Sequence, residues 1–203
     1  MKNTAVMISG RGTNLQAIID QWKSGQTGYQ LKLVFSNVEQ VEGLSRAKAA
    51  GIETLVISHR DFATREEFDR RVYKELMAKN IELIALAGFM RLFSSWFVQQ
   101  WSGKIINIHP SLLPAFPGLD THQKALDAGV KYSGCTVFFV DEGVDTGAII
   151  DQIAVPVHVG DTEESLAKRI LKKEHELYPK VLDDLACGKV VLEQGKCRRV
   201  EFH

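Results

Sequence analysis

Five short runs of apolar and β-branched residues recur along the chain: Ala5–Ile8, Leu31–Phe35, Thr54–Ile57, Leu83–Ala87 and Ile105–Ile108. Runs this continuously apolar belong to strands buried on both faces, the condition of a parallel sheet. Between them Asn14–Trp22, Val41–Ala50 and Thr64–Lys79 carry helix formers, with apolar spacing such as Leu15, Ile18, Ile19 and Trp22. The alternation predicts an α/β fold: a Rossmann-like, mostly parallel sheet with helices on both faces. After Gly134 the pattern changes, because Cys135–Val140 and Ala148–Val157 read as two strands joined by a short acidic, glycine-containing loop. Antiparallel strands are therefore expected toward the C-terminal part. A long helix is expected from about Thr162 to Leu185, opened by Asp161-Thr162-Glu163-Glu164, which supplies an N-cap and acidic residues at the positive helix end. Pro179 is expected to kink or break that helix, and Lys189–Glu193 with Arg198–Phe202 to form a small hairpin.

With 25 Lys+Arg against 25 Asp+Glu, the 203-residue chain has no net charge. That balance argues against a dedicated nucleic-acid or anionic-membrane binder. No composition shift marks a linker, so residues 1–203 are read as a single domain. Cys135, Cys187 and Cys197 are an odd, widely spaced set without CxxC or a Cys/His cluster, which gives no disulfide framework and no structural zinc. The first apolar run is too short for a signal peptide or a membrane span, and the expected location is cytoplasmic.

Three segments carry chemistry. Ser9-Gly10-Arg11-Gly12-Thr13-Asn14-Leu15 lies directly after the first strand and before the first helix, where glycines let backbone N–H groups approach an anion. A dinucleotide fingerprint would need a small residue at Leu15 and an acid after the second strand, which ends in Ser36-Asn37; Walker A would need a lysine that is absent. A single phosphate or carboxylate is the better ligand, and a plain tight turn capped by Thr13 or Asn14 is the alternative. At the end of the fifth strand, alternation puts Asn107 and His109 on one side and Ile108 on the other. An amide beside an imidazole can stabilise an oxyanion. Asp141-Glu142-Gly143-Val144-Asp145-Thr146-Gly147 is an acidic loop from which, if it folds back over the same edge, Asp145 can pair with His109 and orient the ring. Ser111 near His109 invites a Ser-His-Asp triad, but there is no GxSxG elbow. Gly88, Phe89 and Met90 reach the same edge where a flat ring could lie, and Glu174 on the long helix could present a carboxylate to an amine.

Taken together, Ser9–Asn14, Ala87–Leu92, Asn107–Pro114, Phe116–His122 and Asp141–Gly147 resemble the folate-dependent formyltransferases, in order and over nearly the whole chain. The resemblance implies a formyltransferase fold and transfer of the formyl group of 10-formyltetrahydrofolate, the co-substrate, to an amine. It is strongest toward the members whose acceptor is glycinamide ribonucleotide, in purine biosynthesis. Carried over residue by residue, it implies Asn107, His109 and Asp145 as the catalytic set, acting by direct attack without a covalent enzyme intermediate and without a metal. Gly12, Thr13 and Asn14 would hold the ribotide phosphate and Glu174 would meet its amine. Arg65, Met90, Arg91, Leu92, Phe93 and Asn107, with Asp141 and Val144 through the backbone of the 141–145 loop, would line the folate cleft. Members acting on methionyl-tRNA carry a C-terminal RNA-binding domain, and the hydrolytic members carry an extra N-terminal domain; here the chain stops at His203 and the core begins at Thr4. The expected partners are thus two small molecules, with no nucleic acid and no membrane, on a monomer or homodimer. The reading from another class is a non-catalytic module binding a ligand in a Rossmann-like cleft.

Overall fold

The computed structural model describes residues 1–200. Five parallel strands, β1 (Lys2–Ile8), β2 (Tyr29–Ser36), β3 (Glu53–Val56), β4 (Leu83–Leu86) and β5 (Ile105–His109), are followed by β6 (Tyr132–Phe139) and β7 (Ile149–Pro156). They form one sheet in the order β3-β2-β1-β4-β5-β6-β7, with β6 antiparallel to β5 and β7 antiparallel to β6. The expected change of direction after Gly134 is present, and a short 140–148 connection permits only this antiparallel pairing.

Alternation along β1 divides the core. Val6 and Ile8 pack on one face with Leu15, Ile18 and Ile19 of α1 (Thr13–Lys23), Leu44 of α2 (Glu42–Ala49), and the apolar stripe of the last helix. Ala5 and Met7 point to the other face, with Phe68, Val72 and Leu76 of α3 (Arg65–Ala78) and Phe97 of α4 (Ser95–Gln100). Each fully buried side chain of this kind contributes roughly 1.5–3 kcal/mol relative to exposure. β3 departs from the expectation of burial on both faces: it is an edge strand, paired only with β2, and none of its residues is fully buried.

Thr64 caps α3 and forms a capping box with Glu67, whose carboxylate returns to the Thr64 amide. Two short helices, α4 and α5 (Thr121–Asp127), fall where the periodicity is too brief to assign. The long helix α6 (Glu163–Ala186) starts at Thr162 as expected, its side chain accepting from the Ser165 amide. It runs unbroken through Pro179. The proline forfeits one backbone bond, but Leu177, Tyr178, Val181 and Leu182 around it are buried against the sheet, and that burial outweighs the loss. β8 (Val190–Glu193) and β9 (Lys196–Arg199) form the C-terminal hairpin; Phe202, placed in it by the sequence, lies outside the described residues. Among the described residues no helix is long and apolar enough to cross a membrane.

Candidate active site

The strand order reverses between β1 and β4, so the segments leaving their carboxyl ends diverge and open a crevice there. On one side β1 passes through Ser9–Gly12 into α1. On the other β4 passes through Ala87–Ser94 into α4. Ser9 ties the two: its hydroxyl donates to Asn37 Oδ1 at 2.6 Å and accepts from the Met90 amide at 2.8 Å.

Gly12 is the N-cap of α1 with φ 70°, a left-handed conformation, and no side chain caps the helix. The first N–H groups of α1 therefore have no intrahelical partner and face outward. A Cβ on Gly12 would meet Gly43 Cα at 2.8 Å, so glycine is needed here for its conformation and for the close seat of α2. Beside Thr13 lies a cavity of about 380 Å³ lined also by Gln16, Ala17, Asp20, Arg46 and His175. The side chain of Asn14 is buried, its amide donating to Glu174 Oε2 at 2.7 Å. Only the main chain of Asn14 is left to the loop. Glu174 is 7% exposed, and burial pushes its carboxyl up, partly offset by that amide.

His109 is buried at the end of β5, with half-buried Asn107 two residues earlier on the same face. Both ring nitrogens have acceptors: Nε2 lies 2.9 Å from the Phe116 carbonyl, and Nδ1 lies 3.4 Å from Asp145 Oδ2. Asp145 Oδ2 also accepts from the Gly118 amide at 2.9 Å, so the segments after β5 and after β6 both dock on the imidazole. The chain leaves β6 beside Ile105, to whose carbonyl the Val140 amide donates at 3.0 Å, and doubles back to bring Asp145 to the histidine. Two glycines allow that return: a Cβ on Gly147 would collide with the Phe139 carbonyl, and one on Gly143 with the Thr146 hydroxyl. Asp145 itself has φ 55° and Phe116 φ 53°, left-handed values unusual for residues with side chains, so the two groups that hold the imidazole both sit on strained backbone.

The Ser111 hydroxyl donates to the Ala115 carbonyl at 2.6 Å and serves the turn rather than the histidine. The Thr136 hydroxyl donates to the Ser111 carbonyl at 2.7 Å and accepts from the Leu113 amide at 3.0 Å, pinning the same segment to β6.

The residues expected to line the folate cleft divide into three groups. Met90, 72% exposed, with Leu92 and Val144, presents apolar surface to solvent, and Arg65 is exposed at the first turn of α3. Arg91 is half-buried, its guanidinium 4.9 Å above the Phe68 ring. Phe93 is a correction to the sequence reading, while Asp141, expected to offer its backbone, keeps its side chain within its own loop. Phe93 turns its ring inward, 9% exposed and stacked between Phe89 and Phe97 at 5.1 and 4.2 Å, because burial of an aromatic face in that column outweighs exposure at the rim. Asp141 spends Oδ1 on the Gly143 amide and the Thr146 hydroxyl, so its side chain shapes the loop. Sequence reasoning missed Tyr178, whose buried hydroxyl donates to the carbonyls of Leu86 and Ile106 and so locks α6 to β4 and β5 next to the site. Its signal was an aromatic hydroxyl on an otherwise apolar helix stripe.

The formyl transferase family model matches residues 2–182. The chain is 42% identical over 193 residues to phosphoribosylglycinamide formyltransferase of Escherichia coli (strain K12), covering 95% of this chain and 91% of that one. It is 53% identical over 193 residues to the trifunctional purine biosynthetic protein adenosine-3 of Drosophila melanogaster, covering 94% of this chain but only 14% of that protein. Against such trifunctional relatives the chain spans less than a fifth of their length, 14% in the fly and 19% in Gallus gallus. Among solved structures, glycinamide ribonucleotide transformylase 1 from Symbiobacterium toebii superposes with a TM-score of 0.95 at 44% identity, over 99% of this chain and 95% of that one.

Proposed function

The chain belongs to the formyl transferase family, and on that premise we propose that it transfers the formyl group of 10-formyltetrahydrofolate to the amine of glycinamide ribonucleotide. The products are formylglycinamide ribonucleotide and tetrahydrofolate, in purine biosynthesis. The observation that carries this reading is the meeting of Asn107, His109 and Asp145 at one sheet edge, a strand away from an uncapped helix N-terminus shaped by Gly12.

In this reading the outward N–H groups of Gly12–Asn14 and the Thr13 side chain bind the ribotide phosphate. Glu174, held by Asn14, receives the amine. The Ala87–Leu92 segment, Val144 and Arg65 hold the folate, with Arg91 supplying positive charge.

The amine nitrogen attacks the formyl carbon, and a tetrahedral intermediate forms with its charge on the former carbonyl oxygen. The Asn107 amide and the protonated His109 ring donate to that oxyanion. Asp145 accepts from Nδ1, so the ring stays oriented with Nε2 toward the crevice. At rest Nε2 faces the Phe116 carbonyl, and the formyl oxygen takes that place when the Phe116 peptide gives way. A proton leaves the attacking nitrogen, through water held by Asp145, and reaches the departing folate nitrogen as the bond to the formyl carbon breaks. No enzyme bond forms, and the reaction is set in the cytoplasm.

The test is kinetic. His109→Ala and Asp145→Asn are each expected to lower kcat by about 10²–10³, the scale of a lost oxyanion donor, with ribotide affinity largely intact. Turnover near the wild-type rate in either variant removes that residue from the mechanism.

A further inference from the structure

On the inward face of α3 the apolar residues Phe68, Val72 and Leu76 are interrupted by Asp69, which has 0% exposure. Its Oδ2 accepts from the Ser94 amide at 2.6 Å, while Oδ1 is buried with no hydrogen-bond partner among the described residues. Arg91 is its counterpart: Nε is also buried and without a partner, while the guanidinium covers the ring of Phe68, the residue next to Asp69. Burial pushes the Asp69 carboxyl up, against the Ser94 hydrogen bonds and the positive charges of Arg91 and Arg65.

A buried carboxylate with one oxygen bare is unfavourable for the fold, so stability does not account for an acid at this position. Its surroundings do. The segment leaving β4 is held at three points: Met90 by the Ser9 hydroxyl, Phe93 by its ring column, and Ser94 by Asp69. Arg91 and Leu92 lie between these points, and their aim follows from them.

We propose that Asp69 is a positioning residue for the folate cleft: it pins the Ser94 amide and holds the Arg91 guanidinium over Phe68 by its charge, so that donor affinity depends on an acid the substrates never touch. This rests on reading the crevice as the formyl-donor site.

Asp69→Asn keeps an oxygen for the Ser94 amide and removes the charge. In the full chain the KM for 10-formyltetrahydrofolate is expected to rise about tenfold, the scale of one charge-assisted interaction, with kcat and the ribotide KM within about twofold. In an Arg91→Ala background the same substitution is expected to add less than about twofold, because coupled residues are not additive. Unchanged donor KM, or the same tenfold loss in both backgrounds, overturns the proposal and leaves Asp69 a support of the fold. If Asp69→Asn does not fold, Arg91→Ala by itself decides, because the half-buried guanidinium over Phe68 is the group through which Asp69 is proposed to act. Donor affinity equal to wild type in that variant overturns the proposal equally. Tetrahydrofolate binding by titration calorimetry is measured beside turnover. A wild type that binds tetrahydrofolate but transfers no formyl group refutes the assigned reaction while Asp69 is still decided on affinity; a wild type that does not bind it refutes both.

Discussion

Replacing Gly12 by alanine tests the junction of β1 and α1 on stability and function together. The residue has φ 70°, where an alanine costs about 1–2 kcal/mol more than glycine. The new methyl would lie 2.8 Å from Gly43 Cα, a backbone atom that cannot rotate away, so α2 must shift, at a cost of about 1–3 kcal/mol. Lower freedom of the unfolded chain returns about 0.4–1 kcal/mol. The net destabilisation is about 1–4.6 kcal/mol, which for a chain of this size lowers Tm by roughly 2–18 °C. Gly10→Ala is the control, since a Cβ there meets nothing within 4 Å; its effect on stability is expected within about 0.5 kcal/mol. Calorimetric melting reads the first quantity, and steady-state kinetics the second: the ribotide KM is expected to rise at least about tenfold in Gly12→Ala with the folate KM unchanged. A melting temperature within a degree of wild type would refute the steric argument. Equal rises in both KM values would refute the assignment of this loop to the phosphate.

Thr13→Asp places a negative charge at the open end of α1 and is expected to raise the ribotide KM far more than the folate KM, as measured by varying each substrate in turn; equal effects contradict the phosphate assignment. Glu174→Gln keeps an acceptor for the Asn14 amide while removing a carboxylate that burial disfavours. A carboxyl with a raised folded-state pKa contributes most stability below its unfolded value, about 4.3, and loses it as pH rises through the folded value. The variant is therefore expected to melt above wild type at neutral pH, with the gap closing toward pH 4, while binding the ribotide more weakly. A gap that is constant with pH, or widens on acidification, contradicts this.

The alternation of apolar runs and helical stretches was enough to read the parallel sheet and its antiparallel finish, because strands buried on both faces leave a continuous signal and so short a loop permits only antiparallel pairing. The order of the strands was not legible, since β1 and β4 become neighbours through packing between distant residues. Pro179 shows why local rules mislead inside a core: the lost backbone bond is small beside the burial of Tyr178 and Val181. In the site, the approach of Asp145 to His109 was legible from an acidic loop with two glycines. The side-chain directions of Asn14, Phe93 and Asp141 were not, because direction within a helix or loop depends on which partner is nearest, Glu174 for one, Phe97 for another and Thr146 for the third. Asp69 left one trace that pattern reading passes over, a charge inside an apolar helix stripe.

The proposed reaction stands most directly on which acceptor the formyl group requires. A spectrophotometric assay of 10-formyltetrahydrofolate consumption answers this when run with glycinamide ribonucleotide, with water alone and with methionyl-tRNA. Consumption that depends on the ribotide, with formylglycinamide ribonucleotide formed mole for mole, is the predicted result. Equal consumption without any acceptor would make the protein a hydrolase and remove the phosphate role of Gly12 and Thr13; transfer to methionyl-tRNA, or no turnover with any of the three, would contradict the proposed reaction.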